Sequence, residues 1–264
     1  MEIIDSIGQI PLWLVFAMLG FQIATQLLVN LQWFWVAKAA DSGLSFWNLF
    51  YINSQGAIVD SITPGVKIGG EAARVYHICK LGGFDAKRAA SLVALQKLFS
   101  LSALFLLLLA ISSRLPISAF WIALIFSALF AIFFLILKKL RPQISGIRKK
   151  PAIWGLVAML SLLIWVFYPL KFYILASHFA TDIGLIDAAA IAFSAYLVAM
   201  LPIFPGGLGG FEATMAGLLV AQSFALANAA VITIFFRFAT FWFVLLLSLA
   251  FVGFYKLYLR RKNA

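Results

Sequence analysis

The chain has 264 residues, of which 64% are hydrophobic and only 11% are charged. Soluble domains carry about 25% charged residues, so this composition excludes a water-soluble enzyme and predicts an all-α polytopic membrane protein. The net charge of +11 does not indicate nucleic-acid binding, because the basic residues lie in short segments at the ends of apolar runs, as membrane topology signals do. We therefore expect membrane lipids, and no nucleic acid, as partners.

Side chains that carry common catalytic chemistry are scarce. Cys79 is the only cysteine, and His77 and His178 are the only histidines, so the sequence offers no disulfide and no metal-binding cluster of familiar spacing. No catalytic triad, nucleotide-binding loop or dinucleotide motif stands on a suitable element. We expect no metal, no cofactor and no enzymatic activity.

Five apolar runs are long enough to cross a hydrocarbon core about 30 Å thick, which takes about 20 helical residues. They cover residues 10–36, 91–111, 117–137, 152–176 and 226–255. No basic region or small-residue cleavage site accompanies the first run, so it is predicted to be a permanent span and not a cleaved signal.

Two further apolar stretches are interrupted near their middles. Hairpin A, residues 46–79, is broken at Pro64, and hairpin B, residues 186–225, is broken at Pro205. Residues 71–80 would form a return arm only about 15 Å long as a helix, which is half of the hydrocarbon thickness. Hairpin A is therefore predicted to be re-entrant, whereas hairpin B is either re-entrant or a pair of complete short helices.

Basic segments predict the orientation, because Lys and Arg concentrate on the cytoplasmic side of membranes. The loop at 138–150 and the segment at 256–262 are the most basic parts of the chain. Both are predicted to be cytoplasmic, which places the C-terminus inside and the N-terminus, with Glu2 and Asp5, outside. Arg114 is the exception, in a short external loop. We expect a multi-pass protein of the cell membrane.

The two halves of the sequence are related by a constant offset of 141 residues, at which Trp13 aligns with Trp154. The hairpin breaks also align, with Pro64, Gly65, Gly69 and Glu71 falling on Pro205, Gly206, Gly210 and Glu212. The predicted single transmembrane domain, 1–264, has repeat 1 at 8–112, a connecting span at 117–137 and repeat 2 at 150–257. The connecting span inverts the second copy. Such inverted-topology repeats with two re-entrant helical hairpins are typical of transporters.

Hairpin A turns beside three charged residues, Lys67, Glu71 and Arg74. A helix N-terminus with nearby cations suits an anionic group such as a lipid phosphate. Alternatively, Glu71 and Arg74, at positions i and i+3, simply pair with each other. Lys97, in the next span, is expected either to serve the same hairpin or to extend to the cytoplasmic interface.

The break of hairpin B has one charged residue near it, Glu212. A lone carboxylate in a membrane is protonated, caps a helix start or pairs with a distant cation, and Arg237 in the last span is the expected partner. Lys171 is expected to extend to the membrane interface and is left out of the site. The candidate substrate-binding set also includes the glycines that expose backbone amides at the two breaks, namely Gly69, Gly70, Gly206, Gly207, Gly209 and Gly210.

Three motifs, in this order, resemble a known family. They are Pro64-Gly65 with Gly70-Glu71 and Arg74, then Pro205-Gly206-Gly207-Leu208-Gly209 with Glu212, then Arg237 followed by Phe238 and Thr240. The family is the flippase-like membrane family that includes the N-terminal transmembrane domain of lysylphosphatidylglycerol synthase, also called multiple peptide resistance factor. The resemblance covers nearly the whole chain and implies lipid translocation, or support of lipid modification, without lipid synthesis by this polypeptide.

The chain departs from the family pattern in two ways. Gln96 and Lys97 stand where members usually carry an acidic residue followed by Arg. The sequence also lacks the soluble aminoacyl-transferase domain of fused members.

The leading prediction is a lipid flippase that moves a lipid with a polar, phosphate-bearing headgroup through a midplane site between the two hairpins. Lys67 and Arg74 would attract the phosphate, while Glu71, Glu212 and Arg237 would form pairs that switch or accept a proton. One alternative is a membrane scaffold whose partner is a lipid- or glycan-modifying enzyme. The other is an intramembrane transferase with Glu71 or Glu212 as general base.

Overall fold

The computed structural model describes residues 6–63, 68–139, 151–180, 182–201 and 206–262, and these ranges are helical, without a β-strand. The helices are α1 (Leu12–Ala39), α2 (Phe46–Ile62), α3 (Ile68–Gly82), α4 (Ala86–Ala110), α5 (Ala119–Lys139), α6 (Pro151–Ala176), α7 (Leu185–Ala199), α8 (Gly210–Ala221), α9 (Leu226–Arg237) and α10 (Phe243–Lys262). A 3₁₀ turn, Ser112–Arg114, precedes α5, and a π-helical turn, Phe238–Trp242, joins α9 to α10. Helices suit a bilayer because they satisfy their own backbone hydrogen bonds.

Five segments of the described chain are long and apolar enough to cross a membrane. They are Leu12–Ala39, Ala86–Ala110, Ala119–Ile136, Pro151–Ala176 and Leu226–Arg261. The five predicted long spans are thus confirmed as apolar helices, and the chain is a multi-pass helical membrane protein. The last segment continues past the predicted end at residue 255, since its terminal Lys and Arg residues are good helix formers.

Four described helices that lie outside the five long segments form two pairs, because α2 packs against α3 in hairpin A and α7 packs against α8 in hairpin B. Helix α3 has 15 residues, from Ile68 to Gly82, so the predicted return arm of residues 71–80 was too short. Gly83 ends this helix in a left-handed conformation with φ 66° and donates its N–H to the Cys79 carbonyl. At about 22 Å, α3 is still shorter than the hydrocarbon core.

Helices α1 and α6 pack along each other, and a polar layer joins them to α4. Gln32 on α1 donates to the Ser161 hydroxyl on α6 at 2.6 Å, and Gln96 on α4 donates to Gln32 Oε1 at 2.8 Å. Helices in lipid gain no hydrophobic drive from burial, so side-chain hydrogen bonds and close packing hold them together. Gln32 thus links three long helices.

Small residues allow close packing around α7. Ala188, Ala192 and Ala195, which follow one face of this helix, are fully buried. Phe172 and Phe236 fill the space between α6 and α9, with their ring centroids 5.3 Å apart. This packing holds hairpin B against the long helices that carry its charged partner.

Candidate functional site

The last turn of α2 caps the first turn of α3. The Asp60 carboxylate accepts the Gly70 N–H at 3.0 Å, which satisfies one of the free amides at the start of that helix. A Cβ built on Gly70 would lie 2.2 Å from the Asp60 carboxylate. Glycine at position 70 therefore permits the close approach of the two helices.

Four charged side chains meet at this turn, and we call them charge cluster A: Asp60, Glu71, Arg74 and Lys97. Arg74 pairs with Glu71 at 2.9 Å and with Asp60 at 3.4 Å. Lys97, on α4, reaches the same Glu71 oxygen at 2.6 Å. The predicted pair at i and i+3 thus exists, but it is part of a network from α2, α3 and α4. Opposite charges offset the cost of burying each other.

Two members of this turn were missed by the sequence predictions. Asp60 is the only charged residue of α2, and an ionisable residue in an apolar segment is itself a sign of a functional site. Gly56, one turn earlier, faces Arg74, because a Cβ there would lie 2.6 Å from the guanidinium carbon. The missing side chain makes room for Arg74 between α2 and α3.

At hairpin B, one carboxylate has two roles. Glu212 Oε2 accepts the N–H of Gly209 at 2.7 Å, which caps α8, and Oε1 lies 2.9 Å from Arg237 Nε. We call Glu212 and Arg237 charge pair B. Gly209 has φ 85°, a conformation that side chains disfavour. Of the three alternatives for Glu212, the helix cap and the ion pair are both present.

Aromatic rings and a backbone carbonyl surround Arg237. Its guanidinium carbon lies 4.6 Å from the Phe211 ring centroid and 4.3 Å from that of Phe241, close enough for cation–π attraction. The guanidinium also donates to the Gly206 carbonyl. The π-helical turn Phe238–Trp242 begins directly after Arg237, and such turns often mark functional sites. The amino-acid pattern did not predict this turn.

Described residues that flank the two hairpin breaks lie next to each other. A Cβ built on Gly206 would lie 3.4 Å from the backbone oxygen of Ser61, the residue after Asp60. Gly207 packs closely on α7, because a Cβ built on it would lie 2.7 Å from Ala199. Charge cluster A and charge pair B therefore occupy neighbouring turns of the structure.

Four predicted residues lie outside the described residues. They are Pro64, Gly65, Lys67 and Pro205. The remaining candidates fall at the two turns or on the long helices facing them. In the described part of the chain, no three His, Cys, Asp or Glu side chains are grouped closely enough to hold a metal ion.

Two other predictions concern basic residues away from the turns. Arg114, the exception in the topology, pairs with Asp187 at 3.2 Å. The expectation that Lys171 extends to the interface was wrong, because its side chain is fully buried and donates to Gln22 on α1. Packing of α1 over this face of α6 closes the route to the interface.

Comparison with known families and proteins gives related membrane proteins. Residues 1–248 match the model of the lysylphosphatidylglycerol synthase TM region. A UPF0104 membrane protein of Methanothermobacter thermautotrophicus is 23% identical over 274 aligned positions, covering 86% of this chain and 81% of that protein. A UPF0104 membrane protein of Methanocaldococcus jannaschii is 29% identical over 85 residues, covering 32% of this chain and 25% of that protein. This chain therefore belongs to the family of the lysylphosphatidylglycerol synthase transmembrane region.

Proposed function

We propose that the protein is a lipid flippase that moves a lipid with a polar, phosphate-bearing headgroup between the leaflets. The observation that carries this proposal is the meeting of two hairpin turns, each with a carboxylate at the start of its return helix and a cation from a long helix. Ionisable groups between membrane helices are costly and mark substrate pathways. Membership of a lipid-related family supports the same conclusion.

Helix positions support an inverted repeat. With the offset of 141, the first residues of α1, α2, α3 and α4 fall on 153, 187, 209 and 227, while α6, α7, α8 and α9 begin at Pro151, Leu185, Gly210 and Leu226. Helix α5 is left as the single connecting span, which inverts the second copy. In this arrangement both hairpins are re-entrant, the N-terminus is outside and the C-terminus is cytoplasmic.

Charge cluster A is suited to exchange partners with a phosphate. The two terminal nitrogens of Arg74 face different carboxylates, Glu71 and Asp60, and this planar fork also matches two phosphate oxygens. A phosphate that displaces Glu71 gains both Arg74 and Lys97. Asp60 keeps its hydrogen bond to the Gly70 amide during this exchange, so the start of α3 stays capped.

Charge pair B links the binding of phosphate at charge cluster A to the contact between the two hairpins. Arg237 holds the Gly206 carbonyl as well as Glu212, and Gly206 is the residue of hairpin B that meets Ser61 of hairpin A. Opening the ion pair releases that contact between the hairpins. A binding site between them then opens toward one face at a time, as alternating access requires.

The test is leaflet-resolved movement of a reducible fluorescent phospholipid in proteoliposomes. We expect the wild-type protein to move it and Glu212→Gln to be at least tenfold slower. Asp187→Asn is the matched control, because it breaks an ion pair with Arg114 away from the hairpin turns, and it is expected to retain the wild-type rate. Wild-type rates equal to those of empty vesicles, for anionic and zwitterionic headgroups alike, would contradict the proposal and favour a scaffold for a lipid-modifying enzyme.

A further inference from the structure

A lysine lies buried in the contact between α1 and α6. Lys171 is 0% exposed, and its ammonium nitrogen donates to Gln22 Oε1 at 2.5 Å and to Thr25 Oγ1 at 3.2 Å. Within the described chain, no Asp or Glu forms an ion pair with it. The cations of charge cluster A and charge pair B, in contrast, all face carboxylates.

The surroundings of Lys171 accommodate both an amine and an ammonium. A neutral amine has two N–H donors, which match the oxygens of Gln22 and Thr25. The Thr25 hydroxyl donates its own proton to the Phe21 carbonyl at 2.8 Å, so its oxygen is available as an acceptor. An ammonium has a third donor, and the Tyr168 ring lies 4.5 Å from the nitrogen, where it attracts a cation.

The ammonium form of Lys171 has no counter-ion, so it is costly in a closed membrane interior. An ammonium surrounded only by neutral groups is destabilised against the amine in a low dielectric, and water removes this difference. A lysine in this setting therefore takes up a proton when the site is wetted and gives it up when the site is closed. The elements that hold Lys171 decide which state is present.

Aromatic contacts lead from Lys171 to charge pair B. The Tyr168 ring packs on Tyr196 of α7 with centroids 4.8 Å apart, and Tyr196 packs on Phe211 at 5.2 Å. Phe211 is the ring that faces Arg237. The titratable groups around Lys171 are thus Tyr168 on its own helix and Tyr196 on α7, with Arg237 and Glu212 beyond Phe211; Gln22 and Thr25 on α1 do not titrate.

Helix α6 lacks one backbone hydrogen bond close to Lys171. Pro169 lies within the helix, and because proline has no N–H, the carbonyl of Trp165 lacks its helical hydrogen bond. Pro169 also lines an open apolar cleft of about 200 Å³ between α6, α4 and α7, together with Val166, Leu107 and Phe193. The cleft gives the helix room to bend at this position.

We infer that Lys171 is a proton-binding site that couples movement of α6 to proton transfer. When α6 opens to water on one face of the membrane, the amine binds a proton from that water and becomes an ammonium; as α1 and α6 close, the ammonium releases the proton to the water of the other face. The part of this inference that concerns lipid movement rests on the proposed function, whereas the proton site itself does not.

Nitrogen NMR of the protein with ¹⁵N-labelled lysine side chains, in lipid bilayers, tests the proton site directly. Lys171→Met identifies the Lys171 signal by its loss. The expected result is a change of this signal between ammonium and amine within the pH range in which the protein stays folded. A signal that remains in one form throughout this range would overturn the inference and make Lys171 a fixed structural tie.

Transport in a pH gradient tests the coupling. We expect a gradient to accelerate wild-type lipid movement, and Lys171→Met and Lys171→Arg both to lose this acceleration at least fivefold, because neither exchanges a proton there. Lys38→Met is the matched control, since Lys38 also lies over a ring, that of Phe34, but is exposed. Retained acceleration in Lys171→Arg would overturn the coupling. Absence of any wild-type lipid movement would instead count against the proposed function, and the NMR titration would still decide the proton site.

Discussion

The two hairpin turns stabilise their buried charges in different ways. Charge cluster A uses two carboxylates and two cations from three helices. Charge pair B uses one carboxylate and one guanidinium, and two aromatic rings and a backbone carbonyl supply the rest of the surroundings. Glu71 and Arg74 in cluster A each keep an oppositely charged partner when one contact opens, whereas Glu212 has one cationic partner in the described chain.

This difference assigns the turns different parts in the proposed cycle. Exchange of partners is cheap in charge cluster A, so that turn suits the binding of a headgroup. Opening charge pair B leaves Glu212 and Arg237 without their oppositely charged partner. The pair therefore suits a switch between two defined states. Substitutions in pair B should therefore cost more than substitutions in cluster A.

Arg237→Met is expected to have the largest effect. It leaves Glu212 without a counter-charge and removes the cation between two rings, so we expect at least a tenfold loss of lipid movement. Removal of one partner from a buried ion pair costs about 3 kcal/mol of stability, and thermal unfolding in detergent measures that loss.

Two further variants sharpen this prediction. Arg237→Met combined with Glu212→Gln should recover stability, since no unpaired charge remains, but it should not recover lipid movement. Arg114→Met, at the exposed pair with Asp187, should change neither. Wild-type stability in Arg237→Met would show that charge pair B is not a structural tie.

Gly70→Ala is expected to have the next effect, through the backbone of hairpin A. Its new methyl group would lie 2.2 Å from the Asp60 carboxylate, so the side chain must leave the Gly70 amide and the cap of α3 is lost. Loss of a helix cap costs about 1 kcal/mol. Gly253→Ala, where a Cβ meets nothing within 4 Å, is the control, and it should be neutral or slightly stabilising. An equal unfolding temperature for both variants would contradict this role of Gly70.

Glu71→Gln should have a smaller effect, because Arg74 keeps Asp60 as a partner. We expect lipid movement to fall about threefold to fivefold, and the headgroup preference to change, since the exchange of Glu71 for phosphate is lost. Rates measured with anionic and zwitterionic analogues check this. A loss as large as that of Glu212→Gln would remove the proposed distinction between the two turns.

Lys97→Met should have the smallest effect of the four. The Lys97 side chain is 28% exposed, and Glu71 retains Arg74 after its loss. Partly exposed ion pairs contribute at most about 1 kcal/mol, so unfolding should change little and lipid movement by about twofold. Lys97→Arg, which restores the charge, should return to the wild-type rate; a loss of tenfold in Lys97→Met would place Lys97 in the headgroup site itself.

Part of the candidate site followed from the sequence alone. The pair between Glu212 and Arg237 was predictable because a lone carboxylate in an apolar stretch needs a partner, and the chain offers few cations within its spans. Asp60 was overlooked because the internal repeat aligns it with Leu201, so the comparison of the two halves gave it no counterpart. Its role as a cap is visible only when α2 and α3 lie side by side.

Lys171 is a second residue whose surroundings the sequence pattern did not predict. Its place near the end of α6 predicts an extended side chain that reaches the interface. The structure buries it because α1 covers that face and offers the oxygens of Gln22 and Thr25. The sequence predicted the position of Lys171 along its helix, but it did not predict that α1 packs against that face of the helix.

The sequence by itself determined the membrane location, the five long helices, the two interrupted hairpins and the family, since hydropathy, helix breakers and motifs are properties of single segments. Only the tertiary structure decided that Asp60 completes charge cluster A, that Gly206 meets Ser61, and that Lys171 is buried against α1. The physical reason is that a membrane helix is apolar on both its lipid-facing and its protein-facing sides. Hydrophobic periodicity therefore does not predict which faces pack together, and interhelical packing and hydrogen bonds decide it instead.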